Sequence, residues 1–414
     1  MAEHTRRIGL SLGADVCWPI CFEALLKDLD LNIRDGGDTL RFEADRVSIE
    51  PFDLAQPVHY DVVIDRLTHW YHLSREWIKK AIVHDDLYVF NNPFSLTSME
   101  KHTSYAAMMR LGFPVPKTWM LPPKAYPESD DLEPTLQRYA KLFDLREIGD
   151  KVGYPLFMKP YDGGAWVGVT SIKDGDALVK AYEESGERVM HLQKGVIPND
   201  SFVRCLGLGP QTRHVNYDPD APLHDRYRME TDFIADADKQ RLTDMTLVIN
   251  AFFGWDFNSC EALRSDGVWY PIDFANACPD SQVTSLHYHF PWLIKANLRW
   301  SIFCAATKRR MHTDFGWREY FDIADENASF DDKLQEYVKI ARSRFDADEF
   351  ESFCATHLGD LDERANAFFG SETVRNAIRE KVTALFPEHE IDEFTELFWT
   401  RVQSWRALEG GGIA

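Results

Sequence analysis

The sequence predicts a protein of mixed α/β and α+β class with a helical C-terminal extension. Three observations predict this class. Short apolar runs alternate with helical patterns through the first hundred residues. A second group of short strands, broken by a glycine loop and a tight hairpin, lies between residues 154 and 274, and helical patterns fill most of 290–405. Because 414 residues exceed what one hydrophobic core usually serves, we expect two or three packed subdomains.

The N-terminal part has the rhythm of a small doubly wound domain, in which strands and helices alternate. Ser74 is the expected cap of the second helix, and Gly112 ends the third. Gly9 and Gly13 do not form a G-x-G-x-x-G pattern after the first strand, so a dinucleotide such as NAD is disfavoured. The predicted strands are 7–12, 60–65 and 86–90, and the predicted helices are 18–29, 73–84 and 97–111.

The middle of the chain reads as two α+β units. Prolines and acidic residues mark a linker at 122–134, before a predicted helix at 135–148. Ser265, Asp266 and Gly267 predict a tight hairpin. Further predicted strands are 154–159, 169–172, 189–193, 202–208, 212–217, 258–264 and 268–274, with helices at 177–184 and 235–253. The expected units are an α/β domain at 1–122, a core at 123–290 divided into a lid at 123–198 and a large subdomain at 199–290, and a helical extension at 291–414.

Composition argues against several partners and locations. The 46 basic and 67 acidic residues give a net charge of −21, which repels phosphate backbones and argues against nucleic acid as the partner. No stretch approaches the roughly 18 apolar residues of a membrane span, so no membrane partner is expected. The polar start at 1–7 lacks an apolar signal core, and the seven scattered cysteines favour reduced thiols. We therefore expect a cytoplasmic protein.

An apolar strand that ends at Lys159 runs into a glycine loop at 162–168, and this is the first segment that suggests chemistry. The loop contains Gly163, Gly164 and Gly168. Glycines let backbone N–H groups approach an anion closely, and the lysine adds a point charge. The combination suits phosphate, although a glycine hairpin beside a lysine is common when taken alone.

A second segment, 190–200, leaves an apolar strand through an irregular hinge and reaches an acidic residue. Backbone groups from Gln193 to Val196 suit the edge of an adenine ring, and Asp200 suits the hydroxyl groups of a ribose. The alternative is an ordinary connection between a strand and a turn. By itself, this segment does not decide between the two.

The third segment places Glu261 before the predicted hairpin and Asp273 and Asn276 after its turn. These are hard oxygen ligands, and magnesium bound to nucleotide phosphates typically uses one or two carboxylates together with waters. Exposed acids beside a turn are the ordinary alternative. Asp273 and Asn276 are three apart, so on a regular strand they face opposite ways, and both reach one metal only if a bulge or turn intervenes.

Together and in this order, the segments resemble the ATP-grasp superfamily, in particular its glutathione-synthetase-like and ribosomal-protein-glutamate-ligase-like members. The resemblance covers roughly residues 60–280. It includes 65–66, 91–95, 99–101 and 112–118, and the last three of these look like the family's N-x-P-x-S, D-K and G-x-P-x-P-x-T run. Two departures are Glu100, where the family has aspartate, and the wide spacing of Asp273 and Asn276.

The resemblance implies an ATP-grasp fold and a role for each matched residue. Lys101 and Lys159 are similar to the two lysines that contact phosphate, and 163–168 is similar to the mobile glycine loop. Gln193 and Val196 look like the adenine hinge, and Asp200 looks like the ribose acid. The magnesium ligands by this resemblance are Glu261, Asp273 and Asn276.

The function that the resemblance implies is an ADP-forming ligase that activates a carboxylate as an acylphosphate and joins it to an amine. ATP and Mg²⁺ are the expected cofactors, with Mn²⁺ as an alternative metal. The substrates are expected to be an amino acid, a peptide or a related small molecule. Two alternatives stay open: a kinase on the same fold, and a regulatory protein that binds ATP without turnover. A homo-oligomer is left open.

Several arginines between the ribose acid and the long helix are candidates for gripping a substrate carboxylate or stabilising a tetrahedral oxyanion. Arg204 is the first candidate, because it follows Asp200 by four residues on a predicted strand. Arg228 is the second catalytic candidate, and Arg213 and Arg226 are further ones. Pairing at the surface is the ordinary alternative for these last three.

Overall fold

The N-terminal part of the chain folds around a five-stranded sheet. Its elements are β1 (Glu3–Ser11), α1 (Cys17–Leu29), β2 (Ile33–Asp35), β3 (Asp38–Arg46), β4 (Val62–Asp65), α2 (His72–Asp85), β5 (Tyr88–Phe90) and α3 (His102–Arg110). The strand order is β2-β3-β1-β4-β5, with all strands parallel except the edge strand β2. The carboxyl ends of β1 and β4 therefore meet, and the Ser11 hydroxyl donates to Asp65 Oδ1 at 2.8 Å. The computed structural model describes residues 2–48, 50–95, 100–164, 167–276 and 278–409.

A second sheet, called here the lid sheet, has a core of its own. Its elements are β6 (Thr118–Leu121), α4 (Leu132–Tyr139), α5 (Leu145–Val152), β7 (Leu156–Pro160), β8 (Thr170–Ile172), α6 (Gly175–Glu183) and β9 (Met190–Lys194). The strand order is β6-β9-β7-β8, and every pair is antiparallel. Leu156, Leu178 and Leu192 are fully buried in this core. Because β6 pairs with β9, the lid sheet includes residues that precede the predicted boundary at 122.

The third sheet, called here the large sheet, carries most of the candidate acids. Its elements are β10 (Ser201–Leu208), β11 (Gln211–Asn216), α7 (Asp236–Phe253), β12 (Phe257–Ser265) and β13 (Val268–Asn276). The order is β11-β10-β12-β13, all antiparallel, and α7 packs across the first three of these strands. The hairpin predicted between β12 and β13 is confirmed. Asp266 and Gly267 both have positive φ, of 50° and 75°, as a type I′ turn requires.

The C-terminal region is helical and joins the first sheet to the large sheet. It contains α8 (Val283–Leu286), α9 (Phe290–Ala306), α10 (Trp317–Ala324), α11 (Phe330–Arg344), α12 (Ala347–His357), α13 (Leu361–Phe368), α14 (Glu372–Leu385) and α15 (Ile391–Leu408). Helix α9 contacts β1, β4 and β10, while α11 packs on α7 and α14 packs on α1. One continuous hydrophobic core results. None of the helices within the described ranges is long and apolar enough to cross a membrane.

The mixed fold class with a helical extension is confirmed, but three local predictions are wrong and two strands were not predicted. The helix predicted at 135–148 is two helices, because Ala140 is extended and Asp144 starts α5 by accepting from the N–H groups of Arg146 and Glu147. Ser74 lies inside α2, which begins at His72. Strands β2 and β3 were not predicted, because charged residues interrupt their apolar pattern. The helix predicted at 97–111 begins at His102, and residues 97–99 lie outside the described ranges.

Candidate functional site

A cavity of about 60 Å³, called here the small cavity, lies between the lid sheet and the large sheet. Positive charge reaches its wall from Lys101, Lys159 and Arg204. Oxygen donors reach it from Asp162, Glu261, Asp273 and Asn276, and backbone from Gly163 and Gly164. Most of the candidate residues identified from the sequence therefore meet at one place, although they lie on both sheets and on the segment before α3.

A β-bulge explains how Asp273 and Asn276 reach the same cavity. Glu261 lies opposite Asp273, and Ser259 lies opposite Asn276, so β13 has one residue more than β12 over this stretch. The extra residue turns Asn276 to the face that Asp273 uses, which regular spacing by three forbids. The amide Nδ2 of Asn276 donates to the Ser259 carbonyl at 3.3 Å, which leaves its Oδ1 for a ligand.

Lys101 is almost completely buried directly before α3. Its Nζ donates to both carboxylate oxygens of Asp273 at 2.7 Å. Its backbone N–H donates to the carbonyl of Tyr161, just after β7, at 2.9 Å. These contacts join the lid sheet, the start of α3 and the large sheet around one ammonium group.

Lys159 projects from β7 and is held by two oxygen atoms. Its Nζ donates to Gln193 Oε1 at 2.7 Å and lies 3.5 Å from the Ile272 carbonyl. Loss of water contact lowers the pKa of Lys159 from its usual 10.5 to about 8, against the opposing attraction of Asp273. A lysine with this pKa carries its charge at neutral pH and loses it under mildly alkaline conditions.

Arg204 is fixed by an acid and by two aromatic rings. It lies directly opposite Glu261 across β10 and β12, and its guanidinium donates to Glu261 and to the hydroxyl of Tyr227. The guanidinium carbon is 4.8 Å from the ring centre of Tyr217 and 5.4 Å from that of Tyr227. Burial lowers the pKa of Arg204, but the attraction of Glu261 outweighs it and holds that pKa well above its usual value. This side chain is a permanent, oriented cation.

The charges of the small cavity indicate that a polyphosphate needs a metal there. Three cationic side chains face the three carboxylates of Asp162, Glu261 and Asp273, so the wall has no net positive charge to offset phosphate. Arg204 and Lys101 use part of the lone pairs of Glu261 and Asp273, since a carboxylate has about four lone-pair sites. Two carboxylates and the Asn276 amide fit the oxygen set that Mg²⁺ uses beside phosphates. Within the described ranges, no group of three or more His, Cys, Asp or Glu side chains is arranged to hold a metal.

A second cavity of about 470 Å³, called here the large cavity, adjoins the small cavity at Lys159 and Ile272. The predicted hinge and ribose residues Gln193, Val196 and Asp200 line it. Phe157 and Leu263 add apolar wall. Its volume lies in the range of small-molecule sites. An elongated ligand with an apolar end and an anionic end fits the two joined cavities.

Three candidate residues have partners that limit their roles. Arg228 lines the large cavity and not the small one, and its guanidinium donates to Asp218 at 2.5 Å. The structure therefore does not bring Arg228 to the acids beside Arg204. Asp200 is more than half exposed and accepts from Arg264 Nε at 2.7 Å. Gly168 lies against Arg188, not in the small cavity, and the residues at 165 and 166 lie outside the described ranges.

Of the other two arginines, Arg213 forms a paired contact with Glu409 at 2.6 and 2.7 Å, so it links the large sheet to the C-terminal helix. Arg226 donates to the Ala221 carbonyl at 3.1 Å. Both contacts are within the protein, and neither residue lines the small cavity.

Sequence reasoning missed the groups that orient Arg204. Tyr217 and Tyr227 form an isolated β-bridge, and their rings pack edge to face at 5.2 Å beside the guanidinium. Tyr217 ends a predicted strand, so the alternation of side chains along that strand could have predicted the face on which it lies. Tyr227 lies between two arginines in a segment without periodicity, so no such prediction was possible. Phe157 was also missed, although it lies two residues before Lys159 and so on the same strand face.

If a nucleotide binds at the small cavity, the pKa of Lys159 predicts how its affinity depends on pH. The protonated lysine attracts phosphate, so the affinity for MgADP is expected to fall as pH rises above about 8, by up to about tenfold per pH unit. The nucleotide's own charge is constant there, because the second phosphate pKa is about 6. Calorimetric titrations of MgADP at pH values from about 7 to about 9.5 measure the change in its dissociation constant. Lys159→Arg, which cannot lose its charge, is the control, and an equal slope in both proteins contradicts the assignment.

Comparison with known proteins finds relatives with ligase names. No protein-family model matches the chain. D-alanine–D-alanine ligase of Dechloromonas aromatica (strain RCB) is 36% identical over 66 residues, which are 16% of this chain and 22% of that ligase. The match thus spans about a fifth of the length of this curated relative.

Solved structures of ATP-grasp proteins are also similar to the chain. The RimK domain ATP-grasp protein of Sphaerobacter thermophilus DSM 20745 is 14% identical with a TM-score of 0.44, and the alignment covers 66% of this chain and 92% of that one. D-alanine–D-alanine ligase of Bacillus anthracis, complexed with ATP, is 14% identical with a TM-score of 0.48, over 74% of this chain and 99% of that one. At these identities, the substrates of the relatives do not transfer to this chain.

Proposed function

We propose that this chain is an ADP-forming ligase that uses ATP and Mg²⁺ to join a small carboxylate to an amine. The observation that carries the proposal is the small cavity, where Lys101, Lys159 and Arg204 face Glu261 and Asp273. Phosphoryl transfer requires mostly positioning and neutralisation of charge. A wall of fixed cations and hard oxygen ligands supplies both.

The joined cavities support one orientation of ATP. The apolar wall at Phe157 and Leu263 suits the adenine ring, and Asp200 at the rim suits the ribose. Lys159 lies on the wall of both cavities, so it suits contact with the phosphate chain between them. The terminal phosphates then lie beside Glu261 and Asp273. Arg264 holds Asp200 at 2.7 Å, so a ribose hydroxyl has to share that carboxylate with it.

The residues of the chain act by holding charge in place. Lys101 and Lys159 offset negative charge on the phosphoryl group while its bond to a carboxylate oxygen of the substrate forms, its bond to ADP breaks and ADP leaves with that electron pair. Glu261, Asp273 and Asn276 would hold Mg²⁺, which supplies Lewis-acid neutralisation of the outer phosphate oxygens. The amine then forms a C–N bond with the acyl carbon, the acyl C–O bond to phosphate breaks, and phosphate leaves with that electron pair. The amine nitrogen loses one proton, which the departing phosphate accepts.

Arg204 suits the oxyanion that forms during this acyl transfer. Its guanidinium is already oriented by Glu261 and Tyr227, so little reorganisation is needed when charge develops. A permanent cation is also indifferent to the pH at which the reaction runs. Its contact with Glu261 couples the oxyanion donor to the proposed metal ligand.

Nucleotide binding is expected to stabilise the folded chain only when the metal is present. A ligand that binds the folded state alone adds about 2.7 kcal/mol at a hundred times its dissociation constant. Thermal melts with MgATP, with ATP plus EDTA, and with Mg²⁺ alone test this. Tm is expected to rise with MgATP but not with ATP plus EDTA or with Mg²⁺ by itself, because the small cavity has no net positive charge of its own. An equal rise in Tm with ATP plus EDTA would contradict the requirement for a metal. No rise in Tm at millimolar MgATP would contradict nucleotide binding.

A screen for ADP release tests the proposed reaction itself. Purified protein is incubated with MgATP and a matrix of small carboxylic acids and amines, and ADP, phosphate and the conjugate are measured together. The proposal expects release of ADP and phosphate that requires both an acid and an amine. ADP with a stable phosphorylated product and no use of the amine supports a kinase instead. MgATP binding without turnover across the matrix supports a regulatory protein.

A further inference from the structure

A cavity of about 390 Å³, called here the loop cavity, lies in the N-terminal part of the chain. Its walls come from the segment between β3 and β4, at residues 46–48 and 50–60, and from Trp77 and Lys80 of α2. Among the described residues, none that lines it also lines the small cavity or the large cavity. Its volume lies in the range of small-molecule sites. The proposed reaction leaves this cavity without a role.

Aromatic side chains form a large part of the wall of the loop cavity. Tyr60 and Trp77 are edge to face with 6.2 Å between their ring centres, and the ring of His59 lies 4.3 Å from that of Tyr60. Phe52 also lines the cavity. All four side chains keep some exposure, so their rings are available to a ligand. Because the faces of aromatic rings attract cations as well as apolar groups, this wall suits an apolar body that carries positive charge.

The two cations that line the loop cavity already have partners. Arg46 donates to both carboxylate oxygens of Glu23, with 3.1 Å between its Nη2 and Oε2. The Nζ of Lys80 donates to Asp85 Oδ2 at 3.0 Å and to the carbonyl of Gln56. Neither positive charge is therefore available to attract an anion into the cavity.

Two carboxylates at the loop cavity are not offset by a cation of the protein. Glu50 and Asp53 both line the cavity, and both are exposed. Within the part of the chain that the structure describes, neither forms an ion pair, and Asp53 Oδ1 accepts from the N–H of Ala55 at 2.9 Å. Two unpaired carboxylates beside aromatic rings favour a cationic ligand, and the net charge of −21 attracts one toward the protein.

A buried hydroxyl beside these carboxylates also lacks a partner. A narrow cavity of about 10 Å³ adjoins the loop cavity, and Glu50, Phe52 and Trp77 line both. Ser74 lines the narrow cavity, is 3% exposed, and has no hydrogen-bond partner for its Oγ among the described residues. Buried polar atoms are nearly always paired, so this hydroxyl indicates a polar group in the occupied site. A donor beside Glu50 would supply it.

We propose that the loop cavity binds a small aliphatic diamine. One ammonium group donates to Glu50 and to the Ser74 hydroxyl, and the other donates to Asp53. The methylene chain between them packs on the rings of Phe52 and Trp77. Two positive charges match the two unpaired carboxylates, so no net charge is left over. This site is separate from the joined cavities proposed for ATP, so the inference does not depend on the proposed function.

Calorimetric titration of the full chain without nucleotide tests the site. The probes are butane-1,4-diamine and pentane-1,5-diamine, and the comparison ligands are butan-1-amine, with one ammonium group, and butane-1,4-diol, with none. Loss of each hydrogen-bonded charge is expected to weaken binding by at least about tenfold. Absence of binding by both diamines overturns the proposal, and so does equal binding of the diamine and the diol.

Two variants test whether the diamine lies in the loop cavity. Glu50→Gln and Asp53→Asn are each expected to weaken diamine binding by at least about tenfold. Both positions are exposed, and asparagine keeps an oxygen that can accept from the N–H of Ala55, so both variants are expected to fold.

The matched control is Glu76→Gln, at an exposed acid of α2 that does not line the loop cavity. It removes the same charge from the same subdomain and is expected to leave diamine binding unchanged. If Glu50→Gln or Asp53→Asn binds the diamine as tightly as Glu76→Gln does, the proposed bridge between the two carboxylates is wrong. The comparison of diamine and diol on the wild-type chain decides the proposal even if a variant does not fold.

Discussion

Replacing Lys159 with methionine is expected to lower turnover by about a hundredfold to a thousandfold, the cost of removing one preorganised charge from a transition state. Methionine keeps an unbranched stem of similar length, so packing on the lid sheet is preserved. The lysine contacts Gln193 and lies near the Ile272 carbonyl at the junction of the two cavities. Steady-state rates of ADP release measure the loss, once the screen has identified substrates.

The control for this variant is Lys180→Met, at an exposed lysine on α6 of the same subdomain. It is expected to keep both activity and stability. A Lys159→Met protein that folds and turns over within a few-fold of wild type would show that the phosphate chain lies elsewhere.

Replacing Asp273 with alanine is expected to abolish turnover and also to destabilise the protein. The substitution removes a proposed metal ligand and leaves the Lys101 ammonium, which is 5% exposed, without its carboxylate. Breaking a buried ion pair costs about 3–5 kcal/mol. We expect about 3 kcal/mol, the low end, because a fifth of the Asp273 side chain is exposed to water. Chemical denaturation without nucleotide measures the free energy of unfolding.

A double variant separates the two effects of Asp273. Lys101→Met together with Asp273→Ala removes both charges, so it is expected to recover part of the lost stability and none of the activity. Asn276→Ala is the companion variant, expected to be milder in stability because it leaves no charge unpaired. If the double variant is as unstable as Asp273→Ala alone, the buried pair does not account for the loss.

The sequence was most informative where local chemistry and chain order agree. The apolar strand that carries Lys159, the strand that carries Gln193 and the hairpin at Asp266 and Gly267 each have a local signal, and these elements are confirmed. The bulge that brings Asn276 beside Asp273 has no such signal, because it depends on how β13 pairs with β12. The sequence showed only that an irregularity was required.

Partners from distant segments could not be predicted from the sequence. Glu261 holds Arg204 because β10 pairs with β12, and Arg264 holds Asp200 through a contact that no spacing encodes. The sequence predicted that the C-terminal region is helical, but it did not show what that region does. Only the packing of α14 on α1 brings Lys381 to Asp15.

The most direct test of the central claim is the identity of the products when the amine is replaced by hydroxylamine. An acylphosphate is attacked by hydroxylamine, so the account predicts a hydroxamate of the substrate acid, formed in equal amounts with ADP and phosphate. The prediction follows from metal ligands and lysines grouped around one small cavity, which suits transfer of the terminal phosphoryl group. Accumulation of AMP and pyrophosphate in place of ADP and phosphate would contradict it.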